Sequence, residues 1–240
     1  ALTVTPPASV DGETPKSFAQ RLMDYAFDKH VPGSSTQALA LTAVASLVSM
    51  EGPARYWLVR SQFVEETAMM LAFALTKARD VEEDESKDAI RERWMRTVTA
   101  CVKALASGAC FDDGQKIVLR SQGGGEHILE LCLEVIGAAA SQSDVDAKRH
   151  AFMLMHNLAF HAGAKSHYSA HEVALDCLTQ GVSDADPACE AAACAALFAL
   201  TRNGQRIVAL LRERGRDRAL RGASKSTPRA HGDDPRLRQW

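Results

Sequence analysis

The sequence predicts an all-α protein in which about four short helical units stack into an α-solenoid. Three observations predict it. Alanine fills the apolar runs while aromatic residues make up only 6% of the chain, a composition typical of closely packed helices and not of sheets. Apolar residues recur at about one helical turn from Ser17 onward. The same order of segments then returns four times along the chain.

The chain divides into three parts. Residues 1–16 are proline-rich and have little to bury, so we expect a flexible linker. Residues 17–222 carry the helical pattern and are predicted to form the repeat domain. Residues 223–240 are predicted to form a basic and polar tail. Because the chain begins at Ala1 without an initiator methionine, we expect it to be a piece of a longer protein.

The repeat is clearest between residues 41–71 and 99–133. Each stretch has an apolar helix, a glycine-bearing break, a short helix, an Arg-Ser-Gln triplet and then acidic and apolar residues. The triplets begin at Arg60 and Arg120. The order returns at 151–178 and, shortened, at 194–220. Units of this size cannot bury an apolar face alone, which favours stacking on neighbours.

Two features mark each unit. An apolar pair three positions apart should lie buried on one helical face. These anchor pairs are Val44 with Leu47, Val102 with Leu105, Met155 with Leu158, and Leu197 with Leu200. A glycine followed by a cation comes next, and we expect that glycine to end the helix in the left-handed conformation. The pairs are Gly52 with Arg55, Gly114 with Lys116, Gly163 with Lys165, and Gly204 with Arg206.

The stretches "GQKIVLRS" (114–121) and "GQRIVALL" (204–211) resemble the entry to the second helix of armadillo units. Residues 36–222 as a whole resemble the armadillo and HEAT repeat family. Residues 149–168 and 192–211 are similar to the C-terminal part of the rotatin family, large armadillo-type proteins of centrioles and basal bodies. This resemblance implies protein partners that are centriolar, ciliary or microtubule-associated, and a cytoplasmic location at the cytoskeleton, centriole, basal body or cilium.

The family's tryptophan–asparagine ladder, which grips extended peptides in nuclear transport receptors, is not kept. Asn157 alone fits it. We therefore expect a different partner-binding ridge. Its candidates are Arg55, Tyr56, Trp57, Arg60, Lys116, Arg120, His156, Asn157, Arg202 and Asn203. For Tyr56 and Trp57 the alternative is packing between units.

Residues 212–229 hold seven cations and two acids. The cations singled out are Arg212, Arg214, Arg216, Arg218 and Arg221. Two interpretations remain open. The segment is either a polar cap on the last unit, or a surface for acidic tubulin tails or nucleic acid.

Gly123, Gly124 and Gly125 precede a helix, as in a phosphate-binding loop. No G-K-[ST] follows them, and the sister unit has Phe63, Val64 and Glu65 in their place. We therefore predict a flexible connection between helices.

Histidines cluster in the third unit at His150, His156, His161, His167 and His171. His167 and His171 have the four-residue spacing of helical metal ligands, but no carboxylate or cysteine completes a recognisable set. Metal binding is thus the minor alternative. The six cysteines form no C-x-x-C pair and are predicted to be buried, reduced thiols.

The sequence carries no catalytic signature such as G-x-S-x-G. No apolar stretch approaches the roughly 18 residues of a membrane span. The prediction is therefore a non-enzymatic scaffold for protein–protein interaction, without cofactor, metal or small-molecule substrate. The alternative is a module that binds tubulin or nucleic acid through its basic segment.

Overall fold

Helices dominate the chain. The computed structural model describes residues 18–28, 32–50, 62–81, 88–142 and 144–216. Within these ranges it has eleven helices and one two-stranded hairpin, which confirms the all-α class. Several predicted features lie outside the described residues: the linker 1–16, the tail 223–240, Gly52, Arg55, Tyr56, Trp57, Arg60, Arg218 and Arg221.

The elements follow one another with short connections. The first four helices are α1 (Phe18–Met23), which continues into a π-helical turn (Asp24–Asp28), α2 (Ser35–Ser49), α3 (Phe63–Asp80) and α4 (Asp88–Gly108). Then come α5 (Asp112–Val118), strands β1 (Gln122–Gly123) and β2 (Glu126–His127), and α6 (Ile128–Gln142). The last are α7 (Val145–Ala159), α8 (Ala164–Ala170), α9 (Glu172–Gly181), α10 (Pro187–Thr201) and α11 (Gln205–Glu213).

Polar side chains start three of the longer helices. Ser34 accepts from the backbone N–H of Gln37, and Asp144 accepts from that of Ala147. Asp186 accepts from the second and third residues of α10, whose first residue is Pro187. A side-chain acceptor at this position satisfies backbone donors that have no partner inside the helix. Asp144 and Asp186 both lie fourteen positions before an anchor leucine, Leu158 and Leu200, so they are equivalent.

The helices pack in two rows. Helices α2, α4, α7 and α10 contact one another in that order, and α3, α6 and α9 form a second row against them. Thr99 in the middle of α4 donates to Asp144 at the start of α7, at 3.0 Å. Asn157 near the end of α7 donates to the carbonyl of Ala106 near the end of α4, also at 3.0 Å. Helices α4 and α7 are therefore parallel, and their C-terminal ends lie on the same side.

The anchor pairs lie in the core between the rows. Val102, Leu105, Met155, Leu158, Leu197 and Leu200 are completely buried, as is Val44. Leu47 is only partly buried and packs against the core from its edge. The prediction of buried anchors is thus confirmed for seven of the eight residues.

The predicted left-handed conformation is wrong for the three of these glycines that the structure describes. Gly114 lies inside α5, and Gly163 and Gly204 precede α8 and α11 with φ of −84° and −108°. Close backbone contact explains two of the three. A Cβ on Gly114 would lie 1.8 Å from the carbonyl oxygen of Gly108, and one on Gly204 would lie 2.1 Å from that of Leu200. Glycine allows the short helix to begin directly against the end of the long one.

The triple glycine forms an antiparallel β-hairpin in place of the predicted flexible helix connection. Gln122 pairs with His127, and Gly123 pairs with Glu126. The two turn residues, Gly124 and Gly125, have φ of 62° and 92°. Positive φ at both central residues is the requirement of a two-residue hairpin turn. Gly123 is needed for another reason, since a Cβ there would lie 2.2 Å from the carbonyl oxygen of Ala68 in α3.

The six cysteines all lie in the described residues, and none of them forms a disulfide. Cys101, Cys132, Cys189 and Cys194 are buried and Cys177 is partly buried. Cys110 is exposed, so the prediction of burial is wrong there. It follows the end of α4, where the chain turns outward into α5. Within the described residues, every helix is too short or too polar to traverse a lipid bilayer.

Candidate functional site at the ends and junctions of the helical units

The predicted ridge residues that the structure describes gather near one edge of the first row. Because α4 and α7 are parallel, the turns that follow them lie side by side. Lys165, in the first turn of α8, donates to the carbonyl of Arg202, which directly follows α10. The turn after α10 therefore lies beside the other two. Lys116, Arg120, Arg202, Asn203 and Arg206 are exposed in or beside these turns. We call the cations of this set, Lys116, Arg120, Arg202 and Arg206, the basic edge.

Asn157 is already bound within the molecule. Its Nδ2 donates to the carbonyl of Ala106 and to the thiol of Cys110, at 3.0 and 3.4 Å. Its Oδ1 lies 3.0 Å from Nδ1 of His156, whose ring packs edge-on against Phe160. Asn157 therefore holds the end of α7 against α4, whereas these contacts of His156 stay at the end of α7.

Some arginines of the basic segment are bound within the molecule and one is exposed. Arg214 donates to Glu172 and to Asp176 of α9, and Arg216 donates to Asp176. These ion pairs attach the last described residues to α9. Arg212 is exposed.

Three histidines meet where the second unit contacts the third. His127 ends the hairpin, His167 lies in α8, and His171 lies between α8 and α9. The ring of His127 stacks on those of His171 and His167, with centroids 4.2 and 5.2 Å apart. Glu130 of α6 completes the cluster through a 3.2 Å contact with Nδ1 of His171. We call these four residues the histidine cluster.

His127 also caps α6. Its Nδ1 accepts from the backbone N–H of Leu129 at 3.2 Å, while its own backbone N–H donates to Oε2 of Glu130 at 3.0 Å. This reciprocal arrangement is a capping box with histidine in the place of serine or threonine. Since Nδ1 accepts, Nε2 carries the hydrogen of the neutral ring. Nε2 lies 2.9 Å from the carbonyl of Leu119 and 3.1 Å from Nδ1 of His167.

The surroundings favour neutral rings. Burial lowers the pKa of His127, and His171 lowers it further. Burial also lowers the pKa of His167, followed by the charges of His171, His161 and Arg120. Burial disfavours the charged form of an imidazole, and neighbouring cations act in the same direction.

The cluster does not have the geometry of a metal centre. Both ring nitrogens of His127 are used by backbone groups, so neither has a lone pair free for a metal without loss of the α6 cap. Among the described residues, no group of three or more His, Cys, Asp or Glu is arranged to hold an ion. Sequence reasoning had singled out His167 and His171 but missed His127. The signal was present, since Glu130 follows His127 by three positions just before an apolar run.

One shallow cavity of about 330 Å³ lies beside α3. Its walls are Phe27, Glu66, Met69, Met70 and Phe73. Its lining is apolar apart from Glu66.

No protein-family model, curated protein or solved structure matches this chain.

Proposed function

We propose that this chain is a non-enzymatic scaffold module, an armadillo-like α-solenoid of about four units, that binds an acidic segment of a protein partner along its basic edge. The observation that supports the solenoid is the pair of helix rows, in which each unit packs against the next. Asp144 and Asp186 support it further, because each caps a long helix and is bound by the preceding long helix. Stacked units of this kind present extended surfaces that bind partners.

The binding surface is inferred from which polar groups the units leave exposed. Asn157, Arg214 and the histidine cluster connect one unit to the next. The basic edge projects into solvent instead. Asp112 and Asp113 are also exposed, in the first turn of α5. Because these two carboxylates would repel an acidic segment, we expect the partner to contact two separate groups of cations. One group is Lys116 with Arg120, and the other is Arg202 with Arg206.

The family resemblance gives the proposal a cellular place. By its similarity to the rotatin family, the module works at centrioles, basal bodies or cilia, as part of a larger scaffold. Partners there would be centriolar, ciliary or microtubule-associated proteins.

Capture with single charge reversals tests the binding surface. The purified chain and its Lys116→Glu and Arg202→Glu variants serve as bait in extracts of ciliated cells. Arg93→Glu is the matched control, because Arg93 is exposed near the opposite end of α4. We expect the edge variants to lose an acidic partner that wild type and control retain. Capture of the same proteins by all four baits would overturn the proposal.

A second candidate function is binding of tubulin or nucleic acid by the basic segment. The surplus of cations in 212–229 and the exposed side chain of Arg212 favour it. Deletion of residues 217–240 tests it, because Arg214 and Arg216 stay in place over α9. Co-sedimentation with microtubules that falls steeply with salt and disappears on deletion supports this candidate. Salt-insensitive or deletion-insensitive binding contradicts it.

A further inference from the structure

His127 has two structural roles at once, since it caps α6 and contacts the next unit through His167 and His171. We propose that the histidine cluster makes this junction acid-sensitive: when pH falls below the range of an ordinary imidazole, about 6.5, proton uptake by His127 and His167 releases the N-terminus of α6 and separates the second unit from the third.

The first step is proton uptake at His127. A proton from solvent adds to Nδ1, because Nε2 already carries the hydrogen of the neutral ring. The new Nδ1–H then faces the N–H of Leu129 at the 3.2 Å where Nδ1 had accepted. Two donors cannot bond, so the cap is lost. The charge gained also lies at a helix N-terminus, where the helix dipole opposes a cation.

His167 reinforces this effect. Its Nδ1 lies 3.1 Å from the Nε2–H of His127, so a proton added there sets two donors against each other. The ring of His127 also stacks on that of His171 at a centroid separation of 4.2 Å and on that of His167 at 5.2 Å. At such distances two imidazolium charges repel each other. Proton uptake at either ring therefore weakens the contact between the hairpin and α8.

The other charged groups around the cluster decide the balance. Glu130 of α6 is the carboxylate that contacts His171 and the backbone N–H of His127. It offsets one positive charge. Arg120, after α5, and His161, after α7, face His167 and add positive charge. The positive charge of two protonated rings in the cluster is therefore larger than the single negative charge of Glu130.

The direction of the pH effect follows from these neighbours. Burial lowers the pKa of both His127 and His167, so the unfolded chain takes up protons at a higher pH than the folded junction. Stability from the neutral rings is complete above about pH 6.5 and is lost as pH falls through the lowered values. The junction is therefore closed at neutral pH and weakened in mild acid.

Hydrogen exchange of the whole chain at pH 7.5 and 5.5, corrected for the intrinsic pH dependence of exchange, measures the effect locally. We expect protection in residues 127–131 and 164–172 to fall at the lower pH, by up to about tenfold for one histidine, because uptake of one proton changes an equilibrium at most tenfold for each pH unit below about 6.5. Protection in α10 should stay unchanged. Equal protection of the junction at both pH values would overturn the proposal.

Two variants separate titration from packing. His127→Asn keeps a cap acceptor that does not titrate, so its junction should lose less protection in acid than wild type does, because only the contribution of His167 remains. His156→Gln, at the end of α7, should behave as wild type. Acid loss as large in His127→Asn as in wild type contradicts the proposal. NMR titration of wild-type chain is independent of how the variants fold: His127 and His167 should titrate below about 6.5, and ordinary midpoints would contradict the inference.

Discussion

Arg149 donates a hydrogen bond from Nε to one carboxylate oxygen of Asp186 at 2.9 Å, and its Nη2 forms an ion pair with the same oxygen at 2.7 Å. The other oxygen of Asp186 accepts from the backbone of Ala188 and Cys189. Asp186 therefore starts α10 and attaches it to α7 at the same time. Beside this pair, Lys148 and Asp184 form a second ion pair at 2.6 Å between the same two units.

Replacement of Asp186 should destabilise the fold through both roles. Asp186→Ala removes a helix cap and leaves Arg149 without its carboxylate, so we expect a loss of about 1–2 kcal/mol in the free energy of unfolding. Asp186→Asn keeps an acceptor for the cap and should lose less. Urea unfolding measures both. Glu190→Ala, exposed one turn later, is the control and should stay within about 0.5 kcal/mol of wild type.

The same carboxylate gives a pH dependence in the acid range. The hydrogen bond from Arg149 lowers the pKa of Asp186 below its usual value. The stability it contributes is thus complete above about pH 3.9, the value of the unfolded chain, and is lost as pH falls through the lowered pKa. The free energy of unfolding should fall less steeply in Asp186→Asn than in wild type over this range. Parallel slopes would contradict this assignment.

Two glycines, Gly204 and Gly137, should respond to alanine in opposite directions. Gly204→Ala places a Cβ 2.1 Å from the carbonyl oxygen of Leu200 and should cost about 1–3 kcal/mol. Gly137→Ala, in the exposed middle of α6 with nothing within 4 Å, should stabilise the helix by about 0.5–1 kcal/mol. Thermal unfolding of the two variants beside wild type decides between close contact and simple helix propensity as the reason for Gly204.

Thiol labelling should report the packing of the cysteines. Burial raises the pKa of Cys189 to about 12 and that of Cys177 to about 11, and it raises the pKa of Cys101 and Cys132 further. Thiols that stay protonated and covered react slowly. We expect iodoacetamide to modify Cys110 first in the folded chain.

Mass spectrometry of the labelled peptides identifies the site, and Cys110→Ser should remove the fast phase. Rapid modification of Cys101 or Cys132 in the folded chain would contradict the packing of α4 and α6.

Arg214 should act as a cap on α9. Arg214→Ala removes the ion pairs with Glu172 and Asp176, so hydrogen exchange in α9 should quicken. The difference between variant and wild type should shrink at high salt, because these pairs are partly exposed and screened. Arg212→Ala, which alters an exposed neighbour, is the matched control. Equal exchange in both variants would mean that Arg214 is not a cap.

Much of the helical architecture was readable from local pattern. The anchor pairs predicted a buried face in each unit, and the burial of Leu105, Leu158 and Leu200 confirms it. Asp144 and Asp186 both cap a long helix. Such features depend on residues a few positions apart, which lie together in any helix.

The polar residues were harder to assign. Sequence alone placed Asn157 on a binding surface and left Arg214 open between a polar cap and a binding surface, but both are bound by groups 38 to 51 positions away. Sequence alone also predicted a flexible connection at Gly123. In the structure glycine is required there, because β1 passes too close to the carbonyl oxygen of Ala68 for a side chain. In each case the deciding neighbour belongs to a different unit.

The sequence by itself determined the helices, their buried faces and the repeated order of long and short segments, because helical periodicity and caps are local properties. Only the tertiary structure decided which charged and polar groups remain exposed. The packing of helices against one another brings His127 to His167, forty positions away, and Arg149 to Asp186. Those pairings depend on the register between packed helices, and no pattern within one helix contains that register.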